Sequence, residues 1–169
     1  MEIKKIKDDK DSKNIELTKN ECYDVVIDGM TSEGLGVARI EGFPVFIPNS
    51  LIGEKIKTLI ILVKKSYAVG KVLEFYEKSQ DRVEPVCKIY SQCGGCQFQH
   101  IKYDSQLDVK RDLVVNQLKK IGRLKDVNVL PTIGMENPYN YRNKTQVPFS
   151  LDKNQKVVAG FYKKHSHSI

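Results

Sequence analysis

Tryptophan is absent from the 169 residues, methionine occurs three times, and no apolar run is long enough to cross a bilayer. A membrane-spanning helix and a membrane partner are therefore not expected, and the length suits one or two small soluble domains. Also lacking is an apolar leader ahead of the cysteines, since the N-terminus is polar and lysine-rich. The four cysteines are accordingly not expected to form a disulfide framework, and the compartment is read as cytoplasmic and reducing. Acidic side chains are scarce in one region only. Residues 1–100 carry 15 basic and 15 acidic side chains, whereas residues 101–169 carry 13 and 6, so the formal net charge of +7 lies after the cysteines. That asymmetry suits an acidic partner such as nucleic acid, and on charge alone a generic basic surface fits as well.

What the chain does have is three cysteines in ten residues, Cys87-Lys-Ile-Tyr-Ser-Gln-Cys93-Gly-Gly-Cys96. The paired glycines let the backbone turn sharply, as aiming two sulfurs at one centre requires. Cys-x2-Cys serves zinc, iron–sulfur clusters and redox pairs alike. A third cysteine upstream argues against a bare redox pair, and the unequal spacing places iron–sulfur ahead of zinc. The fourth ligand is missing. Cys22 lies in an alternating stretch and reads as a small buried hydrophobe. His100 is near enough to bind but can equally pack or cap, and His165 and His167 lie within the last five residues.

Residues 1–19 are rich in lysine and aspartate and read as a mobile polar tail. In residues 20–76, short apolar stretches at Tyr23–Ile27, Gly36–Ile40, Pro44–Ile47, Glu54–Val63 and Ala68–Tyr76 are separated by turn residues. This predicts a small OB-like β-barrel of about five strands, with Ser32-Glu-Gly-Leu-Gly36 as a tight bend. Such barrels bind single strands on aromatic platforms beside a basic groove, for which Phe43, Phe46, Tyr67, Phe75, Arg39, Lys55, Lys57, Lys64, Lys65 and Lys71 are candidates. Residues 21–86 hold 8 basic and 10 acidic side chains, so such a face must be local, with most of these aromatics in the core.

Residues 77–101 form the cysteine segment. In residues 102–169, apolar positions recurring at helical spacing predict a helix over Tyr103–Ile121, with Asp104 as its cap and Gly122 as its stop. Its lysines are offset by Asp104, Asp108 and Asp112, which suits a solvated helix. Tyr139–Phe149 is read as a strand with Arg142, Lys144 and Gln146 on one face, returning through Val157–Tyr162 after a turn near Asp152–Asn154. Arginine, lysine and glutamine side by side suit phosphate and base-edge contacts, and an ordinary solvated hairpin is the alternative.

Taken in order, these segments resemble the bacterial RNA (uracil-5-)-methyltransferases that act on 23S ribosomal RNA. Residues 20–76 resemble their TRAM domain. The Cys-x5-Cys-Gly-Gly-Cys segment with its following Gln-x-Gln-His, then Asn137-Pro-Tyr-Asn-Tyr-Arg-Asn-Lys144 and Gly160-Phe-Tyr-Lys-Lys-His-Ser-His167, resemble later signatures. The resemblance implies a [4Fe-4S] cluster on Cys87, Cys93 and Cys96, with a fourth cysteine shortly beyond Ile169. It also implies RNA contact at Arg142 and Lys144, with Gln146 and Arg39 as further candidates. By the same resemblance, a C-terminal α/β domain that binds S-adenosylmethionine and supplies the nucleophile is absent, so a monomer that binds RNA without turnover is expected. The fold class is then mixed β and α+β: the barrel, the cluster segment, and an incomplete α+β central domain. A free-standing RNA-binding module, a zinc-stabilised nucleic-acid-binding protein, and a transfer RNA target are the other readings left open.

Overall fold

The structure is a computed structural model that describes residues 17–164 and 166–169. The expected polar tail lies outside the described residues up to position 16, and its end is corrected: Leu17 is buried in the core, and the Asn20 N–H donates to the Ile60 carbonyl at 2.8 Å. Six strands come next: β1 (Cys22–Val26), β2 (Gly29–Met30), β3 (Leu35–Ile40), β4 (Phe43–Pro48), β5 (Lys55–Val63) and β6 (Ala68–Glu77). They form one curled sheet in the order β1-β5-β6-β4-β3-β2, antiparallel except where β4 runs parallel to β6. The extra strand, β2, lies just past the first expected strand, Tyr23–Ile27. Ile27 donates its N–H to Glu54 of the β5 side, while Asp28 donates to Val37 of β3, so one extended segment serves both edges of the sheet.

The alternation that predicted β5 is what the core uses. Ile56, Thr58 and Ile60 are fully buried, and the fully buried Thr58 hydroxyl satisfies itself on the Lys71 carbonyl at 3.2 Å. With Ile27, Val45 and Ile47 they fill the inside of the sheet, each apolar side chain stabilising it by roughly 1.5–3 kcal/mol. Phe43 and Phe75 pack against this core, as expected of most of the barrel aromatics. Gly36 is fixed by space, since a Cβ there would lie 2.0 Å from Ser50 Oγ.

The barrel is tied to the start of the cysteine segment by a buried ion pair. Glu54 is wholly buried, and its carboxylate accepts Arg82 Nε at 2.6 Å, Arg82 Nη2 at 2.7 Å, and the N–H groups of Leu51 and Ser79 at 2.8 and 3.3 Å. Arg82 also donates to the Asn49 carbonyl at 2.8 Å and lies 4.7 Å from the centroid of the Phe75 ring. A buried carboxylate is tolerated only when so fully paired.

Helix α1 (Tyr103–Lys120) ends one residue before the expected limit. Asp104 is not its cap: Lys102 occupies that position without a side-chain cap bond, and Asp104 sits in the first turn, where a negative charge favours the helix dipole. At the other end the Leu124 N–H returns to the Leu118 carbonyl at 3.1 Å, and the left-handed residue is Arg123 (φ 54°) rather than Gly122. Gly122 is needed for room, because a Cβ would meet the Leu118 carbonyl oxygen at 2.7 Å. Residues 129–135 run along α1, with Arg111 Nε on the Val129 carbonyl, Thr132 Oγ1 on the Leu107 carbonyl, and the Met135 N–H on Tyr103 Oη.

The hairpin forms, but is shorter than expected: β7 (Phe149–Leu151) pairs antiparallel with β8 (Val157–Ala159) around a turn at Asp152–Lys156. Residues 139–148 are not strand. Asn140 is left-handed (φ 58°), which breaks extended backbone, and no described strand pairs with this stretch. Ile133, Leu130, Phe149 and Val157 are all at least 70% exposed, so this half leaves much apolar surface uncovered. No helix among the described residues is long and apolar enough to cross a membrane.

Candidate cluster loop and nucleic-acid interface

The cysteine loop is built from short turns: the Tyr90 N–H donates to the Cys87 carbonyl at 3.0 Å, and the Cys93 N–H to the Ile89 carbonyl at 2.9 Å. Cys87 and Cys93 are half-buried and Cys96 exposed, all three as free thiols. Two sulfurs accept hydrogen bonds, Cys93 Sγ from the Gly95 N–H at 3.3 Å and Cys96 Sγ from Gln99 Nε2 at 3.2 Å. Gln99 spans the loop, because its Oε1 accepts the Cys87 N–H at 3.3 Å. Donors aimed at sulfur are what cluster thiolates receive, so the donor set suits an iron–sulfur centre. Among the described residues, however, no three Cys, His, Asp or Glu side chains stand together as a metal-binding group. The fit is one of donor chemistry rather than of finished geometry.

None of the described histidines joins the thiols. The His100 side chain is 3% exposed and packed with Tyr90. Tyr90 Oη donates to the Gln97 carbonyl at 2.7 Å, which spends its one hydrogen, so His100 Nδ1, 2.5 Å away, must be the donor to that oxygen. Nε2 is then a bare acceptor, and it has no hydrogen-bond partner among the described residues. Burial, with Arg82 and Lys164 adding to it, pushes the His100 pKa down to about 4, in keeping with a neutral ring. Burial likewise raises Tyr90 to about 12. His167 is exposed and edge-on to Tyr162, and His165 lies outside the described residues. Cys22 corrects the expectation of a buried hydrophobe, since it is exposed on β1.

The loop is clasped from two directions. On the barrel side, Val83 N–H donates to the His100 carbonyl and Lys102 N–H to the Asp81 carbonyl, at 3.1 and 2.8 Å. On the other, the Gly94 N–H donates to Tyr162 and the Lys164 N–H to Gln92, at 2.9 and 2.8 Å, which docks the Gly160-Phe-Tyr-Lys-Lys stretch onto the cysteines. Lys164 closes the junction: its Nζ lies 4.3 Å from the centroid of the Tyr90 ring and 3.3 Å from Asn49 Oδ1. Burial lowers its pKa, while Cys93 and Cys96 act the other way. Gly34 (φ +77°), in the expected bend, completes the contact, since a Cβ there would press Gln97 Cβ at 3.1 Å. Sequence reasoning missed Gln99 and Lys164 as structural members of this site; for Gln99 its place three residues after Cys96 was the available signal, whereas Lys164 is remote in sequence.

Arg142, Lys144 and Gln146 are exposed and line one concave surface of about 540 Å³ together with Asn143, Tyr141 and Phe161. The expected segregation of alternate residues to two faces does not occur, because the segment is irregular. The Arg142 guanidinium lies 5.7 Å from the centroid of the Tyr141 ring. Arg39 is exposed on β3 but engaged by Asp28, and Lys55 by Glu77 at 2.5 Å. Of the barrel aromatics, Phe46 and Tyr67 form a half-buried pair with centroids 5.5 Å apart.

Residues 16–73 match the TRAM domain. The chain is 48% identical over 153 residues to an uncharacterized RNA methyltransferase of Listeria monocytogenes serotype 4b, covering 90% of this chain and 33% of that protein. It is 47% identical over 159 residues to an uncharacterized RNA methyltransferase of Clostridium acetobutylicum, covering 93% of this chain and 34% of that protein. The chain thus spans about a third of the length of the curated relatives it matches. A solution structure of a conserved protein of Methanococcus maripaludis is 34% identical over 38% of this chain and 91% of its own, with a TM-score of 0.35.

Proposed function

Because this chain carries a TRAM domain and is homologous to about a third of the length of proteins named as RNA methyltransferases, we propose that it is the RNA-docking, cluster-holding part of such an enzyme. The enzyme uses S-adenosylmethionine to methylate uridine at carbon 5 in 23S ribosomal RNA. The observation that carries the proposal is the cysteine loop, whose sulfurs receive hydrogen bonds and whose ends are clasped by the barrel and by Gly160–Lys164. Cys87, Cys93 and Cys96 hold a [4Fe-4S] cluster in this reading, with a fourth ligand next to the docked stretch. When bound, the cluster supplies Fe–S bonds that fix the loop.

The chain's own residues hold and orient RNA rather than react with it. Arg142 and Lys144 meet phosphate, Gln146 and Asn143 meet base edges, and Tyr141 offers a stacking face. Carbon 5 of uracil becomes nucleophilic only after a thiolate adds to carbon 6, and a base must then take the carbon 5 proton. The three loop cysteines are committed elsewhere and Cys22 lies on the barrel, so nucleophile, base and methyl donor are assigned to the part of the relatives' length that this chain does not span. Methyl transfer needs no electron, so the cluster's part is structural.

Iron, acid-labile sulfide and zinc in anaerobically purified protein, together with binding of a ribosomal RNA fragment, test this. About four irons and four sulfides per chain with RNA binding are expected. Stoichiometric zinc without sulfide would replace the reading with a zinc-stabilised nucleic-acid-binding protein.

A further inference from the structure

A second cleft, of about 770 Å³, lies between the barrel rim and the cysteine loop. Phe75, Lys78 and Arg82 line it from the barrel side, Lys88 and Tyr90 from the loop, and the buried His100 forms part of its floor. Its size is that of a site for a small organic molecule, about 300–1,000 Å³, and is far too small for a duplex.

Its charges are unbalanced. Among the described residues Glu84 is the one acidic residue lining it, against Lys78, Arg82 and Lys88. Arg82 is satisfied by Glu54, but Lys78 and Lys88 are exposed and enter no ion pair among the described residues. Lys78 is held at the rim, its Nζ 5.7 Å from the centroid of the Phe75 ring. Two free ammonium groups at the mouth of a concave site suit a phosphate.

The floor carries an independent sign of a ligand. Tyr90 fixes the His100 tautomer with the proton on Nδ1, leaving Nε2 as a buried acceptor without a donor among the described residues. Such orphans are rare in folded proteins, because a buried acceptor loses its hydration without a replacement. A base amino or imino N–H, or a ribose 2′-hydroxyl, is the donor that RNA offers, and unpaired nucleotides are the ones whose edges are free to offer it.

We propose that this cleft binds one unpaired RNA nucleotide, with its phosphate on Lys78 and Lys88 and a donor of its base or ribose on His100 Nε2. The inference rests on the RNA-binding reading above and adds a second contact, apart from Arg142–Gln146. Occupancy would be felt at the cluster loop, because Cys87 also lines the cleft.

The test uses the full chain and a labelled single-stranded oligoribonucleotide. Lys78→Ala with Lys88→Ala should weaken binding about tenfold and make the log–log salt dependence shallower by about 0.7, the value for one single-strand phosphate contact. Oligonucleotides carrying 4-thiouridine should cross-link to a peptide within residues 78–91. His100→Phe should weaken binding without changing the salt slope, which separates the acceptor from the charges. If that variant fails to fold, the exposed lysine pair and the cross-link decide alone. Wild-type binding with an unchanged slope in the lysine variant and no cross-link in 78–91 would overturn the inference while leaving the RNA-binding reading intact. No RNA binding by the wild type would remove both.

Discussion

Replacing Arg82 by alanine removes two of the four hydrogen bonds to the Glu54 carboxylate, at 2.6 and 2.7 Å, and leaves the N–H groups of Leu51 and Ser79 as its partners. The carboxylate has no exposed surface through which water could replace the guanidinium. Breaking such a pair from one side costs about 3–5 kcal/mol, because the remaining charge is stranded. The bond to the Asn49 carbonyl and the packing on Phe75 are lost as well. For a chain of this length the loss corresponds to a fall in Tm of roughly 10 °C. Denaturant unfolding at pH 7 measures it, with Arg82→Ala compared to the double variant Glu54→Gln/Arg82→Met. The double variant should lose less than the single one, since a neutral amide in place of the carboxylate strands no charge. Hydrogen exchange should accelerate at residues 79–83 and 100–102, where the barrel holds the loop. A loss below about 1 kcal/mol for Arg82→Ala, or a double variant worse than the single, would refute the view that this pair couples the two parts.

Gly36→Ala should destabilise the barrel by about 1–3 kcal/mol through its clash with Ser50, and Ser50→Gly in the same chain should restore part of it, as read by thermal melts. Each of Cys87→Ser, Cys93→Ser and Cys96→Ser should abolish iron and sulfide incorporation, whereas Cys22→Ser should leave both unchanged; equal loss in all four would deny the loop its special role. His100 gives a pH dependence. Its folded pKa lies near 4 against 6.5 when exposed, so the unfolded chain binds more protons between these values. Stability from this group is full above pH 6.5 and declines as pH falls toward 4, by roughly 3 kcal/mol at about 1.4 kcal/mol per pH unit. His100→Gln should flatten that part of the profile in denaturant midpoints taken from pH 7 to 4.5.

The strands and the helix were legible because each repeats a local pattern: alternation in Lys55–Val63, and three- and four-residue recurrence in Tyr103–Lys120. What escaped depends on partners remote in sequence. Glu54 reads as the start of a strand, and nothing near it announces Arg82, 28 residues away, as its counter-charge. The break at Ile27–Asp28 is set by the need to serve Glu54 and Val37 on opposite edges, which alternation alone does not encode. Arg142, Lys144 and Gln146 are exposed, as are Asn143 and Thr145 between them, and their shared surface comes from an irregular path through Asn140 rather than from a pleat. The cysteines were plain from spacing. The two N–H donors on their sulfurs and the docking of Tyr162 and Lys164 beside them required the tertiary fold.

That Ile27 and Asp28 bond to opposite edges also governs when the sheet can form. The residues that pair with β1 lie at Lys55–Leu59, so β1 must wait for about thirty further residues before it is paired. The local β3–β4 hairpin needs no such delay, so closure comes late and depends on distant contacts. Once it occurs, the two strands that would otherwise be open margins are short and joined to each other, and little backbone is left to recruit a strand from another molecule. The barrel is thereby guarded against pairing with its own copies.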